Sequence, residues 1–174
     1  GSTSTGKTFT MFGNEDNKIM QELDKYLEVF HKILDDLKEL SFTTLDGSSN
    51  VKLGGSLILK LHGLNFSRKS EDLDIIINNP TDKQKDYIKV ISNFRVDETA
   101  YFSTTNYKFK KDDLYLNILI ANQPQNEGCL KYKWCQNYYD INSINEVIRA
   151  KVTYGRSKDI TDLLLLKNEN FNLK

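Results

Sequence analysis

Two aspartates separated by one residue begin an apolar stretch of the chain. Asp72 and Asp74 precede three consecutive isoleucines at positions 75 to 77, and this β-branched run predicts a buried strand. At alternate positions of a strand, both carboxylates point to the same face. Like charges so close repel, and a hard cation such as Mg²⁺, which takes one or two carboxylates together with substrate phosphates, would neutralise them. The alternative is that Asp72 caps a turn and only Asp74 faces outward.

A glycine turn lies shortly before these aspartates. Gly54, Gly55 and Ser56 separate a short predicted strand, residues 51 to 53, from a predicted helix, residues 57 to 64. Bare backbone N–H groups, the positive end of the helix dipole and the Ser56 hydroxyl could together hold an anion such as a phosphate. Any tight strand-to-helix turn also uses glycines, so a purely structural role fits the same residues.

A third cluster of charged residues lies near the C-terminus. Its pattern is K-x-x-x-x-R-x-K-D-x-x-D, formed by Lys151, Arg156, Lys158, Asp159 and Asp162. Lys151 could hold a triphosphate oxygen, and Arg156 could do so with two hydrogen bonds. Asp159 could orient a cation or accept a proton from an attacking hydroxyl. The alternative is a solvated helix face on which Arg156 pairs with Asp159 and Lys158 pairs with Asp162.

Together the three clusters supply what two-metal phosphoryl transfer needs: a phosphate turn, paired carboxylates and cations. In this combination the chain resembles the nucleotidyltransferase superfamily related to DNA polymerase β, whose signature is a Gly-Ser turn followed by Asp-x-Asp. It looks most like the minimal nucleotidyltransferases of the AbiEii/AbiGii toxin family. The residues that carry this closer resemblance are Gly54-Gly55-Ser56-Leu57, Leu61-His62-Gly63, Arg68, Ser70, Asp72-Leu73-Asp74 and the C-terminal cluster.

The resemblance implies a Mg²⁺-dependent enzyme that transfers a nucleoside monophosphate from a nucleoside triphosphate to a hydroxyl acceptor. It also implies a toxin of a toxin–antitoxin or abortive-infection system, with transfer RNA or a protein as acceptor and an antitoxin protein as partner. One or two Mg²⁺ ions would be held by Asp72 and Asp74. The nucleotide would be bound by Gly54, Gly55, Ser56, Arg68 and Arg156, and the catalytic residues would be Asp72, Asp74, Lys151 and Asp159.

Asn117 departs from the pattern of that superfamily. Most polymerase β relatives supply a third carboxylate from a later strand, and the strand predicted at residues 114 to 120 has an asparagine there. An asparagine can ligate a metal weakly through its carbonyl, but it cannot act as a general base. The proton of the acceptor hydroxyl would then pass to Asp159, Asp74 or another group. The alternative is a catalytically degenerate protein of the same fold that binds a nucleotide or a partner.

The first eight residues match the P-loop pattern G-x-x-x-x-G-K-[ST], with Lys7 as its lysine. A working P-loop lies between a buried strand and a helix. Residues 9 to 13 are a poor helix start, and the chain has no evident Walker B strand. We therefore interpret residues 1 to 16 as a flexible N-terminal segment, and residues 17 to 174 as a single nucleotidyltransferase-like domain.

The composition fits one folded domain. The chain has 174 residues, of which 39% are hydrophobic and 28% charged, and its 24 basic residues balance its 24 acidic ones. It has no apolar run long enough to cross a membrane, and Cys129 and Cys135 have neither zinc-site nor disulfide-scaffold spacing. These features predict no membrane contact and a cytoplasmic protein.

The periodicity of apolar residues predicts an α+β fold, with a mixed β-sheet flanked by helices. A long amphipathic helix is expected from residue 17 to about residue 40, and helices are also expected at the C-terminus. Further helices are predicted at residues 82 to 94, capped by Thr81, at 144 to 154 and at 158 to 166. Further strands are predicted at residues 99 to 102, 107 to 110 and 114 to 120.

One aromatic cluster admits two interpretations. Tyr132, Trp134, Tyr138 and Tyr139 are interleaved with lysines. Such residues could stack on a nucleic-acid base, although alternating aromatic and basic residues are more typical of a half-buried β-surface.

Overall fold

The structure is a computed structural model that describes residues 14–40, 50–69, 72–97, 103–122 and 130–170. The helices are α1 (Asn14–Glu39), α2 (Leu57–Leu61), α3 (Asp82–Ile91), α4 (Ile144–Tyr154) and α5 (Ser157–Asn170). The strands are β1 (Val51–Gly54), β2 (Asp72–Asn78), β3 (Val96–Asp97), β4 (Ser103–Lys111), β5 (Leu114–Ala121), β6 (Leu130–Trp134) and β7 (Asn137–Ile141). The prediction of an α+β fold is confirmed.

The strands form one mixed sheet in the order β3-β4-β5-β2-β1-β7-β6. Strand β2 lies at its centre, antiparallel to β1 and parallel to β5. Strand β7 is parallel to β1, while β4 is antiparallel to β5 and β6 to β7. A central strand has neighbours on both sides, so residues of β2 share rows with residues of β1 and β5.

The two faces of β2 differ in polarity. Leu73, Ile75 and Ile77 are fully buried in the main hydrophobic core. Because side chains alternate along a strand, Asp72 and Asp74 lie on the opposite face. The prediction that both aspartates share one face is therefore borne out.

Helix α1 covers the apolar face of the sheet. Leu27, Phe30, Ile33 and Leu37 recur at helical spacing, and all are buried in the main core. The helix begins at Asn14, so residues 14 to 16 of the predicted flexible segment are helical. The P-loop-like run lies outside the described residues. None of the described helices has the length and apolar character needed to cross a membrane.

Polar contacts hold α1, β2 and α3 together. Thr81 caps α3 as predicted, since its side chain accepts a hydrogen bond from the Gln84 backbone N–H. The buried Gln84 side chain donates to the Leu37 carbonyl at the end of α1, 2.9 Å away, and also contacts Asn50. Asn50 Nδ2 in turn donates to the carbonyl of Asn78, 3.2 Å away, which fixes the end of β2 that is remote from its aspartates.

Two helices are shorter than predicted. Helix α2 ends at Leu61 instead of residue 64, because Gly63 has a left-handed φ of 85°. Helix α3 ends at Ile91 instead of residue 94, because Asn93 and Phe94 also have positive φ. The strand predicted at residues 99 to 102 lies outside the described residues.

The hairpin of β6 and β7 packs on α1. Trp134 Nε1 donates a hydrogen bond to Asp24 Oδ1 over 3.1 Å, and the Tyr139 hydroxyl contacts His31 Nδ1. Tyr132 is half-buried against the core, whereas Tyr138 is 61% exposed. Most of the aromatic cluster is therefore the half-buried β-surface that the sequence favoured.

Candidate nucleotide and metal site

The register of the sheet places Asp74 between a glycine and an asparagine. Gly54 of β1 pairs with Asp74, which pairs on its other side with Asn117 of β5. Asp72, the first residue of β2, pairs with Tyr115 two rows away. The paired aspartates, the glycine turn and the asparagine thus form one polar patch on the face of the sheet opposite the main core.

The Asp74 carboxyl is held in an environment that disfavours its charge. Burial, together with the negative charge of Asp72, raises the pKa of Asp74 to about 6. A hydrogen bond from Asn117 and the charges of Lys108 and Lys151 act in the opposite direction and offset only part of the rise. The two aspartates therefore form a site at which a cation would be strongly favoured.

Gly55 passes directly over the Asp74 side chain. Its φ is 73°, in the left-handed region that favours glycine. A side-chain carbon at Gly55 would lie 2.2 Å from Asp74 Oδ2, so the turn and the carboxylate share space that only a glycine leaves open.

Two cations converge on Ser56, directly after this glycine. Lys151 Nζ donates to the Ser56 hydroxyl oxygen over 2.8 Å, and Arg68 Nη2 lies 3.3 Å from the same oxygen. Lys151 comes from α4, and Arg68 from the segment after α2. Residues nearly 100 positions apart thus meet at the turn predicted to hold a phosphate.

Asp162 of α5 holds both cations in place. Its carboxylate accepts hydrogen bonds from Lys151 Nζ, 2.7 Å away, and from Arg68 Nη2, 2.8 Å away. Burial alone would raise the pKa of Asp162, but these hydrogen bonds lower it below its usual value. Asp162 is 1% exposed and Lys151 is 7% exposed. The alternative pairing of Asp162 with Lys158 is therefore wrong.

Arg156 and Asp159 form a separate ion pair at the start of α5. Arg156 Nε donates to Asp159 Oδ2 over 2.7 Å, and the guanidinium lies 4.5 Å from the centroid of the Tyr154 ring. This is the pairing that the sequence offered as an alternative to a nucleotide contact. The Asp159 hydrogen bond and the charge of Asp74 are among the causes that raise the pKa of Arg156. The Arg156 side chain is half-exposed, within electrostatic reach of Asp74.

No family model and no curated protein matches the chain. Among solved structures, a proposed nucleotidyltransferase of Thermotoga maritima (TM1012) superposes with a TM-score of 0.51 and 19% identity, over 84% of this chain and 95% of that one. The nucleotidyltransferase ANT(2'')-Ia, in complex with adenylyl-2''-tobramycin, superposes with a TM-score of 0.54 and 16% identity, over 83% of this chain and 88% of its own.

The chain has a nucleotidyltransferase fold. At these identities the likeness is one of fold. Membership of the AbiEii/AbiGii family stays a prediction that depends on the motifs.

Within this nucleotidyltransferase fold, the predicted site residues come together in two groups. The first is the carboxylate group of Asp72 and Asp74 beneath the glycine turn. The second is the cation group, in which Lys151 and Arg68 meet at Ser56, with Arg156 nearby. The positive charge of Lys151 lowers the pKa of Asp74, so the two groups interact electrostatically.

Sequence reasoning left three residues out of the site. Asp162 belongs to the quoted C-terminal motif, but only its position in space shows that it holds Lys151 and Arg68. Lys108 and Tyr115 reach the same face through the pairing of β4, β5 and β2. No local pattern reveals that pairing, because strand order is a property of the whole sheet.

Proposed function

We propose that this protein is a Mg²⁺-dependent nucleotidyltransferase. In the reaction, an acceptor hydroxyl oxygen forms a bond to the α-phosphorus of a nucleoside triphosphate. The bond from that phosphorus to the bridging oxygen breaks, pyrophosphate leaves and the hydroxyl proton passes to a base. The observation that carries the proposal is the meeting of Lys151 and Arg68 at Ser56, directly after the glycine that lies over Asp74.

The donor atoms around Asp74 suit a hard divalent ion. Asp72 and Asp74 supply carboxylate oxygens, and the buried Asn117 Oδ1 has no hydrogen-bond partner among the described residues. Those residues contain no cluster of three or more acidic, histidine or cysteine side chains, so phosphate oxygens would complete the shell. When bound, Mg²⁺ would neutralise the two carboxylates and the phosphate charge. Asp72 and Asp74, with Asn117 as a weaker ligand, would hold it.

The turn after β1 would bind the phosphates. The Ser56 hydroxyl oxygen accepts from Lys151 and Arg68, which directs its own proton away from them, toward an incoming phosphate oxygen. Helix α2 has only five residues, so its dipole contributes less than the sequence suggested. Lys151, Arg68 and the half-exposed Arg156 would supply the positive charge in its place.

The acceptor proton has two candidate bases among the residues chosen from the sequence. Burial would raise the pKa of Asp159, but hydrogen bonds from the Arg156 side chain and backbone lower it below its usual value. The pKa of Asp74 is raised to about 6. Because its ion pair with Arg156 makes Asp159 a weak base, we assign Asp159 the role of orienting Arg156.

Our proposals for the acceptor and the biological role depend on the resemblance of this chain to other proteins. The structural neighbour ANT(2'')-Ia is bound to adenylyl-2''-tobramycin, in which a nucleotidyl group is joined to a small molecule. The AbiEii/AbiGii motifs point instead to a toxin with a transfer RNA or protein acceptor, controlled by an antitoxin. We favour the toxin role, and expect induced expression in bacteria to arrest growth in an Asp74-dependent manner.

A second candidate function is nucleotide or partner binding without turnover. It is favoured by Asn117, which pairs with Asp74 in the sheet and donates a hydrogen bond to its carboxylate. A neutral amide at this position leaves the pair of aspartates without the third acid that the superfamily pattern implies.

Pyrophosphate release separates the two candidates. The purified protein is incubated with Mg²⁺, each of the four nucleoside triphosphates labelled at the α-phosphate, and total RNA or total protein as acceptor. We expect release and label transfer with at least one combination, and loss of both in Asp72→Asn and Asp74→Asn. Asp86→Asn, which removes an exposed carboxylate of α3, is the matched control and should retain them.

Nucleotide binding without pyrophosphate release from any combination would favour the binding function. The absence of both nucleotide binding and pyrophosphate release would overturn the enzyme function and the nucleotide-binding function. The P-loop alternative is tested by deleting residues 1 to 13, because nucleotide affinity that depends on Lys7 would fall.

A further inference from the structure

The polar face around the aspartates continues across β5 onto β4. Lys108 pairs with Asn117, so it belongs to the same row as Asp74. Lys110 pairs with Tyr115, which pairs with Asp72 two rows away, and therefore on the same face. Residues directly opposite on paired strands point to the same face. Two lysines and a tyrosine therefore lie on the aspartates' face of the sheet.

This surface is open and carries a paired cation and ring. Tyr115 is 58% exposed, and the Lys110 ammonium lies 5.6 Å from the centroid of its ring. Lys108 and Lys110 are both exposed, and Lys108 lies close enough to Asp74 for its positive charge to lower the pKa of that carboxyl. We call Lys108, Lys110 and Tyr115 the β4–β5 surface.

The β4–β5 surface lies on the opposite side of the aspartates from the phosphate turn. In the sheet, β1 and its Gly55–Ser56 turn flank β2 on one side, and β5 and β4 flank it on the other. Lys151 and Arg68 meet at Ser56 and so belong to the β1 side. In a transfer reaction the acceptor must approach the α-phosphate from a direction that the triphosphate does not occupy. The β4–β5 surface lies on that remaining side.

We propose that the β4–β5 surface is the acceptor subsite and that it takes the end of a single-stranded nucleic acid. This inference rests on the proposed nucleotidyl transfer and specifies its acceptor. Lys108 and Lys110 contact backbone phosphates, and a base stacks on the Tyr115 ring. The terminal hydroxyl of the strand is thereby brought toward Asp72 and Asp74.

The charges of this surface argue against other acceptors. A cationic aminoglycoside would be repelled by Lys108 and Lys110, whereas the end of a nucleic acid supplies phosphates for the two lysines and a base for the Tyr115 ring. Asp112 and Asp113 lie at the turn of the hairpin, beyond the last lysine of β4. They confine the positive charge to the part of β4 that faces the aspartates. The chain as a whole has no net charge, so the attraction is local.

The same sheet offers a matched control for this subsite. On the β6–β7 hairpin at the other edge, the Lys133 ammonium lies 5.8 Å from the centroid of the Tyr138 ring, and that tyrosine is 61% exposed. The two pairs match in residue types, separation and exposure. Only the pair of Lys110 and Tyr115 shares a row with an aspartate.

Binding is measured without a nucleotide, by fluorescence anisotropy of a 5′-fluorescein-labelled single-stranded RNA with a free 3′ hydroxyl, in the full chain with Mg²⁺. The double variant Lys110→Ala/Tyr115→Ala should bind the RNA about tenfold more weakly or worse. Lys133→Ala/Tyr138→Ala should stay within twofold of wild type. Lys108→Ala should make the logarithmic salt slope shallower by about 0.7, the value for one phosphate contact with a single strand.

Two outcomes would overturn the subsite. These are an absence of RNA binding in wild type and equal losses of RNA affinity in the two double variants. Label transfer to a protein, unaffected by Lys110→Ala/Tyr115→Ala, would also overturn it in favour of a protein acceptor. Circular dichroism verifies that each variant is folded.

The subsite and the proposed function fail in different ways. If RNA binding depends on Lys110 and Tyr115 but no triphosphate is turned over, the enzyme proposal fails and the nucleic-acid surface stands. If nucleotidyl transfer occurs and is insensitive to both residues, the enzyme proposal stands and the subsite fails.

Discussion

The Gly55 backbone occupies the position directly above the Asp74 carboxylate, where a methyl group would lie 2.2 Å from Oδ2. Gly55→Ala should therefore displace either the turn or the carboxylate, in addition to the cost of about 1 kcal/mol for a left-handed non-glycine residue. We expect at least a tenfold loss of nucleotide affinity, measured by titration calorimetry in the presence of Mg²⁺.

Gly63→Ala is the matched control for this change. Gly63 also has a left-handed φ, of 85°, but a side-chain carbon there would meet no atom within 4 Å. Gly63→Ala should be destabilised by a similar amount, because the alanine must also adopt a left-handed φ, and it should bind the nucleotide with wild-type affinity. Equal affinities of the two variants would contradict the assigned role of the Gly55 turn.

Asp162 neutralises two cations in a buried position, so removing its charge should be costly. Asp162→Asn leaves Lys151 and Arg68 without their carboxylate, and breaking a buried ion pair on one side typically costs about 3–5 kcal/mol. We expect a loss of this size in the free energy of unfolding, measured by urea denaturation. In a domain of this size it would lower Tm by roughly 10 °C.

The exposed pair of Glu146 and Arg149 provides the comparison. Glu146→Gln removes an ion pair of similar length, 2.7 Å, from the surface of α4. Exposed pairs contribute about 0–1 kcal/mol, and the variant should lose no more than that. A loss in Asp162→Asn as small as in Glu146→Gln would show that Asp162 does not hold the cation group together.

The raised pKa of Asp74 predicts that the free energy of unfolding depends on pH. Its pKa is about 6 in the folded chain, against an ordinary value of 3.8, so the folded state binds more protons than the unfolded chain between these values. The free energy of unfolding should therefore fall as pH rises from about 4 to 6. In EDTA, Asp74→Asn should become more stable than wild type by about 3 kcal/mol at pH 7, and the two should converge near pH 4.

Urea denaturation of both proteins from pH 4 to 7.5 tests this expectation. Asp86→Asn, on the exposed side of α3, corrects for the loss of one negative charge. Mg²⁺ added at pH 7 should stabilise wild type and leave Asp74→Asn unchanged. A difference between wild type and Asp74→Asn that does not vary with pH would contradict the raised pKa.

Asn117→Asp should destabilise the metal-free protein and strengthen its binding of Mg²⁺. The change removes the hydrogen bond to Asp74 and adds a third negative charge to the patch, so Tm in EDTA should fall by several degrees. Because a cation neutralises the added charge, Mg²⁺ should raise Tm more in the variant than in wild type. Thermal unfolding over a series of MgCl₂ concentrations measures both effects.

Asn78→Asp controls for burying a new carboxylate. Asn78 is also a buried asparagine whose Oδ1 has no hydrogen-bond partner among the described residues, but it lies at the far end of β2 and pairs with Ala121. Its variant should be destabilised in EDTA without rescue by Mg²⁺. Equal rescue of both variants would mean that Asn117 does not face the metal site.

Local pattern sufficed for much of the fold. The i, i+2 spacing of Asp72 and Asp74 in an apolar run predicted that both face away from the core, and the structure agrees. Thr81 was predicted to cap α3 because the capping signal lies within four residues. Helix ends were less accurate, since α2 and α3 end at positive-φ residues that periodicity does not detect.

The partners of the charged residues were decided only by tertiary structure. The motif near the C-terminus allowed Asp162 to pair with Lys158 one turn away, yet its carboxylate binds Lys151 and Arg68, the latter 94 positions distant in sequence. The sequence alone determined which residue types were present, and their helical or strand periodicity. Which of them meet depends on strand order and on how α4 and α5 pack against the sheet, because those contacts join segments that no local spacing connects.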